Sequence, residues 1–129
     1  MTKEKTPDFA LLKKALQSLK ISLDMTKDDI VRDSCIQRFE YSFELSWKSL
    51  KKYFLWNQNL HESNVRNLFR EAGKAGLIDN VEEWFDFHRA RNLSSHTYNE
   101  DLAEEIYLTA QSFYKAAIIL LERIEKLSQ

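Results

Sequence analysis

The sequence predicts an all-α protein, an up-and-down four-helix bundle with one additional short helix, and three observations support this fold class. Apolar residues recur every three or four positions over most of the 129 residues. Only two glycines and one proline occur, which is too few for a succession of β-hairpins. No segment alternates apolar and polar residues as a half-buried strand does. Short links between the helical segments favour antiparallel neighbours.

The first two helices are predicted from leucines and aromatic residues at helical spacing. The segment Thr6–Asp8 is typical of a helix start with proline in the first turn, and leucines then recur up to Leu23. After a short link, a second pattern runs from Ile30 to about Trp56. This second helix is long and carries many of the aromatic residues.

Capping signals delimit the remaining helices. A short helix is expected from about Ser63, with Gly73 and Gly76 at its end. Asn80, followed three residues later by Glu83, opens a helix that reaches Arg91. Thr97 and Glu100 form a second such pair, so the last helix is expected to begin near Thr97 and to continue through Ile124.

Length and composition indicate one domain, residues 1–129, without strong bulk electrostatics. Charged residues make up 30% of the chain, yet the net charge is −1, so only a local basic patch could hold a nucleic acid. Cys35 is the only cysteine, which excludes an internal disulfide. No apolar signal core or membrane-length run occurs, so we expect a cytoplasmic protein that does not contact a membrane.

The segment from Arg91 to Tyr98 gathers a fixed cation, a group that titrates near neutral pH and a phenol. In an unbroken helix Arg91 and His96 would point roughly 140° apart, so they could serve one phosphate only if the helix ended near Ser94 or Ser95. We therefore place His96 at a helix-to-helix corner, with its imidazole turned back beside the guanidinium. The structural alternative is that Arg91 pairs with a carboxylate from another helix.

Two further charged patterns are open to a structural and a functional interpretation. Glu40, Glu44 and Lys48 follow one another at four-residue steps, and a solvated helix face explains them most simply. A second series of charged residues at four-residue steps, which we call the basic ladder, consists of Arg66, Arg70 and Lys74. These cations could bind nucleic acid, or they could offset the charge of the nearby acids Glu71 and Glu62.

No metal or cofactor is predicted from the residue pattern. The three histidines, His61, His88 and His96, lack a ligand spacing such as His-x3-His. Cys35 lies in an apolar helix pattern, where cysteine behaves as a small hydrophobe. His88 is interpreted as core or interface packing.

Two long blocks of the chain resemble the nucleotidyltransferase substrate-binding proteins, a branch of the HEPN superfamily. They run from Arg38 to Lys51 and from Arg91 to Tyr107, and Arg70 to Ile78 adds a third stretch. The resemblance implies a small helical bundle, usually dimeric, that pairs with a separate minimal nucleotidyltransferase. The Gly-Ser dipeptide of such enzymes is absent here, so nucleotidyl transfer itself would belong to the partner.

The resemblance also implies roles for individual residues. Related HEPN proteins are metal-independent ribonuclease toxins whose Arg and His come from two subunits. Arg91 matches the residue that stabilises the phosphate, Asn92 an orienting residue, His96 the proton-transfer group, and Tyr98 the tyrosine that the partner modifies. In the first block, the residues expected to bind substrate or partner are Glu40, Glu44, Trp47 and Lys48.

These observations predict a helical partner subunit of a two-component nucleotidyltransferase, with RNA or a nucleotide as candidate substrate. The alternative is a ribonuclease toxin neutralised by modification of Tyr98, and a plain dimeric scaffold is the third interpretation. A homodimer with both Arg91–His96 corners facing one cleft is expected, because five large aromatic residues are more than one small bundle readily buries. They are Phe39, Phe43, Trp47, Trp84 and Tyr114.

Overall fold

The structure is a computed structural model that describes residues 6–129 and confirms the all-α helical bundle. Its helices are α1 (Ala10–Leu23), α2 (Asp29–Gln58), α3 (Val65–Lys74), α4 (Val81–Leu93) and α5 (Glu100–Leu127), with a 3-10 turn at Ser94–His96. Within residues 6–129 the chain forms no strand, and none of its helices is both long and apolar enough to cross a membrane.

Two of the predicted helix starts differ from the structure. The first helix begins at Ala10, because Asp8 Oδ1 accepts a hydrogen bond from the Ala10 amide at 2.7 Å, so Pro7 precedes the helix instead of occupying its first turn. The last helix is capped by Asn99 instead of Thr97, and Asn99 Oδ1 accepts from the Leu102 amide at 3.1 Å. Asn99 has the extended backbone that a cap requires, whereas Thr97 does not (φ −74°, ψ 1°).

The Asn80 cap is confirmed, and the two glycines have different tasks. Gly73 lies inside α3. Gly76, with φ of 76°, forms the left-handed end of the segment. Its amide donates to the Gly73 carbonyl at 3.2 Å, and the Leu77 amide donates to the Ala72 carbonyl at 2.9 Å. This pair of bonds satisfies carbonyls that the helix end would otherwise leave free.

An aromatic cluster centred on Phe113 of α5 joins three helices. The Phe113 ring centroid lies 5.2 Å from that of Phe39, 5.4 Å from that of Phe87 and 5.7 Å from that of Trp84. Phe39, Phe43 and Trp84 are therefore buried within one chain and are not left over for an interface. The homodimer stays a prediction, but it no longer follows from an excess of these three residues.

A buried cation ties the start of α2 to the start of α5. Arg32 is 3% exposed, and its Nη1 lies 2.7 Å from Glu100 Oε2 and 3.2 Å from Glu104 Oε1. Its Nε donates to Asp33 at 3.1 Å. Hydrogen bonds from Lys27 and Arg32 hold the pKa of Glu104 below its usual value. Since α5 begins directly after the Arg91–His96 corner, this network fixes the position of the corner from its far side.

The close approach of α3 to α4 generates a stability prediction at Gly73. A Cβ atom at this position would lie 2.6 Å from Val81 Cγ2. Alanine gains about 0.5–1 kcal/mol over glycine in a helix, whereas overpacking costs about 1–3 kcal/mol. We expect Gly73→Ala to lower the free energy of unfolding by about 1 kcal/mol, as measured by urea denaturation.

Val81→Ala is the matched background, because it removes the γ-carbon that the new methyl group would meet. In that background Gly73→Ala should be neutral or stabilising. The same loss in both backgrounds would contradict steric conflict with Val81 as the cause.

Candidate functional site

The core sets the rotation of α4 and thereby the direction of its polar side chains. Trp84, His88 and Arg91 recur at helical spacing on one face of the helix. Trp84 is 1% exposed, and the His88 ring stacks on Phe43 of α2 with centroids 5.7 Å apart and 14° between the planes. One turn later, the same face carries Arg91 against α2.

Two carboxylates of α2 hold the Arg91 guanidinium. Nη1 lies 3.2 Å from Glu40 Oε2, and Nε lies 3.4 Å from Glu44 Oε1 without the alignment of a hydrogen bond. Each of these three side chains is about one-third exposed. The structure therefore bears out a carboxylate partner from another helix for Arg91. The solvated face proposed for Glu40 and Glu44 is wrong, because both point at α4.

Ser94 and Trp47 complete this group of side chains. The Ser94 hydroxyl lies 2.8 Å from Glu40 Oε2 and 2.7 Å from the Arg91 carbonyl, and its single hydrogen can be donated to either. Trp47 Nε1 donates to Glu44 Oε2 at 3.1 Å. We call Glu40, Glu44, Trp47, Arg91 and Ser94 the α2–α4 cluster.

Lys48 lies at the edge of the α2–α4 cluster. Its Nζ is 5.7 Å from the centroid of the Trp47 ring, and the lysine side chain is exposed. The four α2 residues predicted to bind substrate or partner are therefore neighbours in the fold. An indole ring with an ammonium group beside it forms the outer rim of the cluster.

The predicted corner is present, but it does not bring the imidazole to the guanidinium. The α-helix ends at Leu93, and the 3-10 turn carries His96 outward, where Nδ1 lies 3.4 Å from the Tyr98 hydroxyl. Asn92 and His96 are both exposed, and Tyr98 is 84% exposed. Within residues 6–129, no hydrogen bond joins Arg91 to His96. Arg91 turns inward because two carboxylates attract it, and His96 contacts the phenol instead.

The sequence did not indicate the buried position of Ser94, but it did indicate the packing role of His88. Ser94 and Ser95 were expected to mark the end of the helix, but the change to 3-10 winding buries Ser94 and exposes Ser95. His88 does pack on an aromatic ring, as predicted. Burial lowers its pKa, the positive charge of Arg66 lowers it further, and the negative charge of Glu44 opposes both.

Comparisons with known proteins agree with this architecture over nearly the whole chain. Residues 7–126 match the family model described as nucleotidyltransferase substrate binding protein like. A probable ribonuclease HepT of Haemophilus influenzae is 30% identical over 108 residues, which cover 78% of this chain and 74% of that protein.

Two solved structures have the same fold. A Thermus thermophilus protein superposes with a TM-score of 0.82 at 31% identity, covering 88% of this chain and 98% of that one. A Haemophilus influenzae protein, described as revealing the fold of a substrate binding domain of a nucleotidyltransferase, superposes with a TM-score of 0.81 at 27% identity, covering 92% and 99%.

The charges around His88 predict that two substitutions shift the pKa of this histidine in opposite directions. We expect His88 to titrate below the ordinary histidine pKa of 6.5. Arg66→Gln removes a positive charge that disfavours the imidazolium, so the His88 pKa should rise. Glu44→Gln removes a negative charge that favours it, so the pKa should fall.

The imidazole Cε1–H resonances followed by NMR through a pH titration measure both shifts. Both variants introduce glutamine, but one removes a positive charge and the other a negative charge. Each variant therefore controls for the effect of the substitution itself. Shifts in the same direction would mean that repacking, and not charge, sets this pKa.

Proposed function

Because the chain belongs to the nucleotidyltransferase substrate binding protein-like family, we propose that it is the helical partner subunit of a separate, minimal nucleotidyltransferase. In this role it presents a substrate, or its own Tyr98, to the active site of that enzyme. The observation that carries the proposal is the exposed corner, where the Tyr98 phenol is 84% exposed with His96 beside it.

The geometry of the corner supports a concrete transfer step. The Tyr98 oxygen attacks the α-phosphorus of the partner's ATP, a phosphorus–oxygen bond to the phenol forms, and the bond to pyrophosphate breaks. A phenol has a pKa of about 10 in water, so its proton needs an acceptor. His96 Nδ1, 3.4 Å from the hydroxyl, is placed to take this proton. The metal and the nucleotide are those of the partner enzyme.

The α2–α4 cluster supplies the supporting surface in this proposal. Glu40, Glu44 and Arg91 neutralise much of one another's charge and hold α4 against α2. Trp47 and Lys48 remain at the rim, where an aromatic face and a cation suit a nucleobase and its phosphate. We assign the contact with substrate or partner to this rim.

Labelling of Tyr98 is the direct test of self-presentation. When the chain is incubated with its nucleotidyltransferase, ATP and Mg²⁺, we expect intact-mass spectrometry to show added nucleotide, and Tyr98→Phe to remove it. His96→Ala should slow the labelling by about a hundredfold, as expected when a positioned base is lost.

Tyr41→Phe is the matched control, because Tyr41 is 38% exposed and its hydroxyl is hydrogen-bonded to Ser18 at 2.8 Å. It should leave the labelling unchanged. An unmodified Tyr98 within a stable complex would exclude self-presentation and leave the presentation of another substrate.

A metal-independent ribonuclease is the second candidate function, favoured by the Arg91–His96 spacing at a corner and by the name of the Haemophilus influenzae relative. Within one protomer the two side chains point to different partners. A composite site therefore requires a homodimer in which the Arg91 of one protomer and the His96 of the other approach one phosphate. Substrate phosphate must then compete with Glu40 and Glu44 for the guanidinium.

Under this second function, the unmodified protein should cleave RNA in the presence of EDTA. His96→Ala should reduce the rate about a hundredfold or more, because it removes the proton-transfer group. His61→Ala, which changes an exposed histidine on the α2–α3 connection, is the control and should have no effect.

Arg91→Lys is preferable to Arg91→Ala, since it retains a cation between Glu40 and Glu44 while removing the planar fork. It should also reduce cleavage. Activity that survives His96→Ala, or that requires added metal, would argue against this mechanism, and absence of cleavage would leave the partner-subunit function.

A further inference from the structure

A second group of positive charge lies on α3, apart from the Arg91–His96 corner. Arg66 and Arg70 are one helical turn apart, and their guanidinium carbons lie 3.9 Å and 5.3 Å from the centroid of the Phe85 ring. Phe85 belongs to α4 and is 5% exposed, so its ring forms a fixed floor beneath both cations. A guanidinium stacked in this way keeps its N–H edge free for another acceptor.

Neither arginine is neutralised within the part of the chain that the structure describes. The ion pairs of residues 6–129 include no carboxylate within 4.0 Å of Arg66 or Arg70. Glu71 pairs instead with Lys74 at 3.5 Å, and Glu62 Oε2 accepts from two backbone amides of its own segment at 3.1 Å. The sequence interpretation that these acids offset the basic ladder therefore holds for Lys74 alone.

The helix dipole adds to the positive potential around Arg66. Arg66 stands in the first turn of α3, where the dipole is positive, and no acidic residue accompanies it there. A cation is unfavourable at this end of a helix, whereas an anion is stabilised there. Arg70 Nη1 donates to Asn67 Oδ1 at 2.6 Å, which orients the second guanidinium.

From this geometry we propose that Arg66 and Arg70, stacked on Phe85, form a binding site for a phosphate group. Arg66 and Arg70 are separated by about 6 Å along the helix axis. Because both guanidinium groups lie over the same ring, their forks can reach oxygens of one phosphate or of two neighbouring ones. A nucleotide and an RNA strand both provide this chemistry.

The new site lies close to the residues of the α2–α4 cluster. Arg66 is near enough to His88 for its charge to lower the pKa of that imidazole, and His88 lies one turn before Arg91 on α4. The phosphate site is additional to the partner-subunit function and does not require it.

Fluorescence anisotropy with the purified chain alone tests the site, so its outcome is independent of whether a nucleotidyltransferase complex forms. The probe is a short, fluorescein-labelled, single-stranded RNA, titrated at several salt concentrations. The double variant Arg66→Gln/Arg70→Gln should bind about tenfold more weakly or worse. The slope of log K against log salt should fall in magnitude by about 1.4, as expected for two lost phosphate contacts.

Two further double variants serve as controls. Arg89→Gln/Lys126→Gln removes the same charge from exposed positions on α4 and α5 and should change the affinity by less than about twofold. Arg66→Lys/Arg70→Lys keeps the charge but not the planar forks, and it should weaken binding severalfold while retaining most of the salt dependence.

Competition with unlabelled ATP distinguishes the two sources of phosphate. If ATP displaces the RNA from the unsubstituted chain, and the glutamine double variant has lost RNA binding, the site is assigned to nucleotides. RNA binding that ATP does not displace would assign it to the nucleic-acid backbone. If the RNA does not bind, a fluorescently labelled ATP replaces it as the probe. The proposal is overturned if neither labelled ligand binds, if the Arg89/Lys126 pair loses as much affinity as the Arg66/Arg70 glutamine pair, or if the lysine pair retains full affinity.

Discussion

The packing of aromatic rings around Phe113 is the constraint on which the remaining geometry depends. Rings of α2 and α4 meet this one side chain of α5, so three helices share a single centre. Each such aromatic pair contributes about 0.5–1.5 kcal/mol beyond the burial of its surface. Because Trp84 and Phe87 fix the rotation of α4 about its axis, the polar residues further along that helix have a set direction. The placement of Arg91 between two carboxylates is therefore a consequence of the core.

Four arginines of the described residues form a compensated pair and an uncompensated pair. Arg32 and Arg91 each meet two or more carboxylates, whereas Arg66 and Arg70 lie on an aromatic ring without one in the described residues. A buried cation must be paired with an anion. A partly exposed cation is available to a ligand only when no carboxylate of the protein is paired with it. Arg91, which the sequence motif singles out, is thus already engaged, whereas no carboxylate of the described residues engages Arg66 or Arg70.

The sequence was sufficient for the fold class, since helical periodicity and the Asn80 cap depend on local chemistry. It was insufficient for helix starts and exposed faces that depend on packing against residues far away in the sequence. Thr97 follows the 3-10 turn with a near-helical backbone, so the cap of α5 is Asn99, whose backbone is extended. Glu40 and Glu44 were expected to be solvated because a helix in a bundle usually has one exposed face. The 30-residue α2 instead contacts α1, α3, α4 and α5, so most of its sides are covered.

The candidate site shows the same division between local and distant information. The family resemblance identified the corner residues, and the structure confirms the corner itself. The sequence left open whether Arg91 would pair with a carboxylate or face His96, because that choice depends on Glu40 and Glu44 of α2, whereas the 3-10 turn directs His96 outward. Arg32 had no sequence signal at all, since its partners in α5 are 68 and 72 residues away along the chain.

The connection between α4 and α5 contains almost no free loop, and this has an energetic consequence for any molecule that binds there. The Asn99 amide donates to the His96 carbonyl at 3.1 Å, and the Arg32 network and the α2–α4 cluster hold the two flanking helices. Ordering the backbone of one residue costs about 1–2 kcal/mol of conformational entropy. A partner that recognises the Tyr98 surface avoids most of this loss. Since about 1.4 kcal/mol corresponds to a tenfold change in Kd, even a small interface around this turn can bind measurably.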